Sequence, residues 1–160
     1  MGRTDTASRV IRASAEKIYA AHLDPKSVAK WRPPQGMKAE IYAFDAREGG
    51  GYRMAFVYED ASVRGKTTEH ADVFEGTFVE LVPNERIVER VKFQSDNPAF
   101  GGAMTITTTL IAVAGGTEVR IVCENVPAGI RAEDHQVGMA STLANLAAFL
   151  ELSNTPAPFA

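Results

Sequence analysis

An α+β fold is expected for this chain: a curved antiparallel sheet of about six strands wrapped on one long C-terminal helix, with two short helices after the first strand. Three observations predict it. Strand-like runs with alternating apolar residues follow one another from Met37 to Asn125, separated by glycine and proline turns. The segment Glu133–Leu152 then repeats apolar residues at Val137, Met139, Leu143, Leu146, Phe149 and Leu150, close to the period of one helical face. Ser14 and the pair Asp24-Pro25 are helix-start signals ahead of the strands. A sheet with so few helices to cover it is satisfied by two packed layers.

Arg9–Ala13 is a short strand. Ser14 caps a helix from Ala15 to about His22 or Leu23, with Glu16 near its positive end and Ile18, Tyr19 and Leu23 inward. Asp24 caps a second helix over Lys26–Lys30 that delivers Trp31, and Arg32-Pro33-Pro34-Gln35-Gly36 ends it. Strands are expected over Met37–Ala46, Tyr52–Tyr58, Thr67–Val82, Ile87–Gln94, Ala103–Ala114 and Thr117–Asn125. Glu48-Gly49-Gly50-Gly51, a polar turn over Asp60–Lys66, Pro83-Asn84-Glu85 and the loop Ser95–Gly102 separate them, and Gly115-Gly116 is a two-residue hairpin loop. Met104, Ile106, Leu110 and Ala112 share one face of their strand while Thr105, Thr107 and Thr109 share the other, as in a sheet with one wet face. The long strand before Pro83 is ambiguous: Phe74 and Phe78 lie in one phase, Val73, Val79 and Leu81 in the other, so a bulge is considered there.

The 160 residues fit one domain, with a core over about 8–152 and a frayed tail over 153–160. The single cysteine, Cys123, excludes an internal disulfide and reads as a buried thiol. A net charge of −3 with scattered basic residues does not favour nucleic acid, and no apolar run is long enough to span a membrane. The N-terminus lacks the apolar core of a signal peptide, so a cytoplasmic protein is expected. His22, His70, His135 and Cys123 show no metal-ligand spacing, and Gly49-Gly50-Gly51 lacks the Lys-Ser/Thr of a phosphate loop; no metal or cofactor is expected.

One helix cannot fill the concavity of a bent sheet, so a cavity between the two is expected to take a small hydrophobic or aromatic molecule. Its candidate wall is Trp31, Tyr42, Phe44, Met54, Phe56, Tyr58, Phe74, Phe78, Phe93, Met104, Ile106, Met139 and Leu143, because aromatics and methionine adapt to apolar shapes. His70 and Asp72 share a strand face with Phe74 and are candidate proton-transfer groups together with Tyr58. His135, at the start of the last helix, is a candidate for orienting a ligand at the mouth. Tyr42, Tyr52 and Tyr58 are candidate donors to a ligand carbonyl or phenol.

Several stretches also carry a family resemblance: Val10–Ala21, Trp31 with Pro34 and Gly36, Phe44–Arg53, Gly76–Ile87, and Gly138, Ser141-Thr142-Leu143 and Leu146 in the last helix. Together they resemble the helix-grip superfamily of steroidogenic-acute-regulatory-type lipid-transfer domains, polyketide cyclases and the major birch pollen allergen. Within it the chain is most similar to bacterial homologues of the activator of the ninety-kilodalton heat-shock protein's ATPase. The resemblance implies a helix-grip fold and a ligand carrier, with a polyketide cyclase or aromatase-like enzyme and a stress-response co-chaperone as alternatives. It also implies a homodimer, since open sheet edges need cover.

Overall fold

The computed structural model describes residues 2–34, 36–59 and 71–154, with side chains described as far as residue 151. The turn expected over 60–66, the first residues of the strand expected from 67, including His70, and the tail over 155–160 lie outside the described residues.

The elements run β1 (Arg3–Ile11), α1 (Ala15–His22), α2 (Pro25–Trp31), β2 (Met37–Phe44), β3 (Gly51–Tyr58), β4 (Ala71–Val82), β5 (Arg86–Phe93), β6 (Met104–Val113), β7 (Gly116–Val126) and α3 (Ala132–Asn154). Seven strands form one antiparallel sheet in the order β1-β7-β6-β5-β4-β3-β2, the short first strand and the six expected from Met37 onward. A meander therefore runs from β2 to β7, and β1 closes it on the far side of β7. The chain crosses from one open edge, β1, to the other, β2, through the two short helices.

Both short helices start as their caps require. The Ser14 hydroxyl accepts from the Lys17 N–H at 3.2 Å. Asp24 accepts from the Lys26 N–H at 3.3 Å and from the Ser27 hydroxyl at 2.8 Å, and Pro25 opens α2 where its missing N–H costs nothing.

The first strand is longer than its alternation predicts, beginning at Arg3 instead of Arg9. Thr4 to Ser8 carries little apolar signal, and pairing along β7, from Arg3 opposite Val126 to Ile11 opposite Thr117, makes it a strand. The hairpin between β6 and β7 turns one residue earlier than expected. Val113 pairs with Gly116, so Ala114 and Gly115 form the loop and Gly115 takes φ +83°. A side chain at Gly116 would run into the Ile11 carbonyl of β1.

Two bulges settle which residues face inward. The β4–β5 register shifts between Phe78 and Glu80, leaving Val79 outward and 46 % exposed. Phe74 and Phe78 before the bulge and Leu81 after it thereby all reach the core, which resolves the conflict of phases in this strand. The β2–β3 register shifts between Ile41 and Ala43: Tyr42 keeps the outward phase of Lys38 and Glu40, 52 % exposed beneath the Arg53 guanidinium, and the shift brings Phe44 inward.

Helix α3 buries Met139, Leu143, Leu146, Ala147 and Leu150. Val137, expected on this stripe, is 70 % exposed, because two residues along a helix is about 200° of rotation from Met139. Polar bonds fasten α3 along β1: His135 to Asp5, Gln136 to the Thr6 carbonyl, and Glu151 to the Arg12 N–H. Seven strand steps and sixteen helix steps each cover about 23–24 Å, so the two elements stay in register along their shared length. At its middle, α3 is tied to the chain after α2 by Thr142 to the Arg32 carbonyl at 3.0 Å and Asn145 to the Pro33 carbonyl at 2.9 Å.

Candidate functional site

The sheet curves away from the first half of α3 and leaves a cavity of about 550 Å³. Its mouth lies at the start of α3, where Arg131, Asp134 and Val137 are exposed. Its far end is polar, formed by the buried residues His22, Trp31, Glu89 and Thr108, while buried Asp72 lines the cavity six residues along β4 from the Phe78 that pairs with Glu89.

Of the residues expected on its wall, Trp31, Phe56, Tyr58, Phe74, Phe93, Met104, Ile106 and Met139 line it, together with Asp72 and His135. Phe56 and Phe93 meet Phe74 edge-on, with ring centroids 4.8 and 6.0 Å away. Met54, Phe78 and Leu143 do not line the cavity: they are 0–2 % exposed and packed into the core. Tyr42 and Phe44 flank a separate shallow groove between α2 and β2. His70 lies outside the described residues, so the expected pairing of His70 with Asp72 has no geometry here.

The centre of charge is a group that the pattern of the sequence did not mark as a unit. Arg32, just past α2, donates to Glu89 Oε1 at 2.8 Å and to the Tyr52 hydroxyl at 3.0 Å. Tyr52 in turn donates to the same Glu89 oxygen at 2.6 Å. The Tyr52 ring lies directly over Gly76, where any side chain would collide with it, and stands 5.1 Å below the Arg32 guanidinium carbon. Burial opposes the charged form of Glu89, but the Arg32 charge and the two hydrogen bonds outweigh it and hold the carboxylate below its usual range. Burial and the neighbouring carboxylate push the Tyr52 phenol well up, so it stays a neutral donor. A signal for Glu89 was present: it occupies the apolar phase of its strand, between Ile87 and Val91, where a charge needs a partner.

His22, considered in the sequence only as a metal ligand, sits beside this group. Its Nδ1 lies 2.8 Å from the Ile18 carbonyl, and its ring meets Trp31 edge-on at 4.6 Å. A carbonyl only accepts, so Nδ1 carries the proton. Burial lowers the pKa from its ordinary value of 6.5, and the ring is neutral in the fold. The unfolded chain therefore binds more protons than the native one as pH falls past about 6.5, and stability declines in that direction. Wild type should lose melting temperature between about pH 7.5 and pH 5.5, and His22→Gln should lose less over the same span. Equal slopes for the two proteins would show that His22 is not desolvated.

A second polar pair stands at the mouth. Asp5 of β1 lies 2.7 Å from His135 Nδ1, and Arg3 holds the same carboxylate at 2.9 Å while also donating to the Ile130 carbonyl. The Arg3 hydrogen bonds, against an opposing effect of burial, keep the Asp5 carboxyl below its ordinary range. A carboxylate only accepts, so His135 Nδ1 carries a proton and points it at Asp5. Cys123 lines the cavity 4.0 Å from the Met139 sulfur, and burial pushes its thiol up to about 12, which keeps it protonated and unreactive. Among the described residues no three His, Cys, Asp or Glu side chains converge as a metal site needs. No described helix is long and apolar enough to cross a membrane.

A seven-stranded antiparallel sheet holding one C-terminal helix, with a cavity between them, defines a helix-grip protein. The chain belongs to the family described as Activator of Hsp90 ATPase homolog 1-like protein, whose profile matches residues 12–151. It is similar to the solved structure of protein CV1439 from Chromobacterium violaceum, at 36% identity and TM-score 0.83, over 92% of this chain and 96% of that one. Protein Mll3558 from Rhizobium loti is 26% identical with TM-score 0.71, over 94% and 98% of the two chains. A protein from Rhodobacter sphaeroides shares the fold at 18% identity and TM-score 0.75, over 94% and 95%. No curated protein matches the chain.

Proposed function

We propose that this protein binds a small hydrophobic or aromatic molecule in the cavity between the sheet and α3. The observation that carries this reading is the cavity itself: about 550 Å³, walled mainly by Phe56, Phe74, Phe93, Met104, Ile106 and Met139, and within the size range of small-molecule sites. Gly138 adds support. It sits inside α3, where glycine costs about 1 kcal/mol relative to alanine, and a methyl group built on it meets no atom within 4 Å. Close packing does not require this glycine. What its bare backbone does is leave the cavity entrance clear.

The test uses both features. Trp31 is the single tryptophan and lines the cavity, so its fluorescence should change as 2-methylnaphthalene is added, and the melting temperature should rise with ligand concentration. Gly138→Ala should melt higher than wild type by the gain of about 1 kcal/mol in helix propensity and still bind. Gly138→Phe should fold and lose both responses. Binding by Gly138→Phe at wild-type strength would remove the cavity from consideration.

The Asp5–His135 pair supports a second reading, in which the bound molecule is a carbonyl compound and His135 moves a proton as a cyclase or aromatase would. Mass spectrometry of small aromatic carbonyl compounds incubated with the protein separates the two. Unchanged compounds support a carrier, and a product of altered mass or retention supports catalysis.

A further inference from the structure

The closed end of the cavity carries two hydrogen-bond acceptors that receive no donor from the described residues. Glu89 takes both of its hydrogen bonds on Oε1, from Arg32 and Tyr52. Its Oε2 receives none among the described residues, although the side chain is only 3% exposed and lines the cavity. His22, 5% exposed, commits Nδ1–H to the Ile18 carbonyl, which leaves the Nε2 lone pair without a donor among the described residues. No fully enclosed side-chain oxygen or nitrogen among the described residues lacks a partner. Both atoms therefore open onto the cavity, because that is the space their residues line. A buried acceptor facing an apolar guest is costly unless the guest brings a donor.

We propose that the ligand is an apolar molecule with a hydroxyl or N–H group at its buried end, donating to Glu89 Oε2 or His22 Nε2, and not a carboxylate amphiphile. This rests on the cavity reading above and adds the chemistry of the ligand's head. The buried Glu89 carboxylate at the closed end opposes a fatty-acid type of guest. Glu89 is buried there, and Arg32, the cation bonded to it, is already engaged by Glu89 and Tyr52. A carboxylate entering this end would lose its water and meet the like charge of Glu89. A neutral hydroxyl meets only acceptors oriented for it.

Three probes of one shape decide the matter by calorimetry on the wild-type protein: 2-naphthol, 2-methoxynaphthalene and 2-naphthoate. 2-Naphthol should bind about tenfold or more tightly than its methyl ether, since the ether leaves the buried acceptors unpaired. 2-Naphthoate should bind more weakly than 2-naphthol. Glu89→Gln, which turns an acceptor into a mixed amide, should shrink the preference for naphthol over ether to about threefold or less. If that variant does not fold, the comparison on wild type decides alone. Equal binding of naphthol and ether overturns the donor requirement and leaves the cavity reading standing. Tightest binding of 2-naphthoate makes Arg32 the reading group and overturns the proposal. Absence of binding by all three removes the cavity reading itself, and this inference with it.

Discussion

Arg32→Met should destabilise the protein by about 3–5 kcal/mol in denaturant titrations at neutral pH. The guanidinium is only 13% exposed and is the one cation among the described residues that bonds Glu89, whose own side chain is 3% exposed. Methionine fills much of the volume of the arginine stem, so the loss comes from a carboxylate left buried without its counter-charge. The pH response separates this account from simple packing damage. In wild type the folded pKa of Glu89 lies below its ordinary 4.5, so the pair's contribution is present above that value and fades as acid protonates the group. In Arg32→Met only the weaker effects of Tyr52 and His22 oppose burial, and the folded pKa of Glu89 should rise above its wild-type value. The deficit relative to wild type should then shrink as pH falls from 7 towards about 5. Arg32→Met combined with Glu89→Leu should recover most of the loss, because no charge is then buried. A single variant costing under about 1 kcal/mol, or a double variant no better than the single, would show that the pair is solvated and not a structural unit.

The second large effect belongs to the helix that the sheet grips. Leu146 is fully buried, in one core cluster with Ile11, Ile18, Phe78 and Leu143. Leu146→Ala should cost about 3–5 kcal/mol, the transfer free energy of the lost carbons together with the void they leave. Val137→Ala, on the same helix but 70 % exposed at the cavity mouth, should change stability by no more than about 0.5 kcal/mol. Equal effects at the two positions would mean that α3 does not dock along the face assigned to it. The contrast also protects the ligand experiments. A variant at the mouth alters access without loosening the grip, whereas one at Leu146 would lose binding by loosening the whole layer.

Much of the architecture was legible because alternation and helical period are local. The threonine-rich face of β6, the caps at Ser14 and Asp24, and the buried stripe Met139–Leu143–Leu146–Leu150 follow from neighbours a few residues apart. Where the local signal was weak, the boundaries moved. Strand β1 gained its first six residues from pairing with β7, and Phe44 turned inward because a bulge shifted the phase of β2. The cavity wall was legible in part for the same reason: residues in the inward phase of a strand can be read, but whether an inward residue meets a neighbour or a void cannot. Met54 and Phe78 are packed solid, while Phe56 and Phe74 in the same phases border open space.

By itself, the sequence determined the succession of strands, the two capped helices, the amphipathic last helix and the aromatic character of the interior, since each depends on side-chain spacing within one element. Only the tertiary structure decided the chemistry of the site. Arg32 and Glu89 stand 57 residues apart, Tyr52 and Glu89 37, and Asp5 and His135 130. Contacts of that reach are set by sheet register and by where α3 comes to rest, and no local pattern encodes the place at which two distant polar groups are withdrawn from water together.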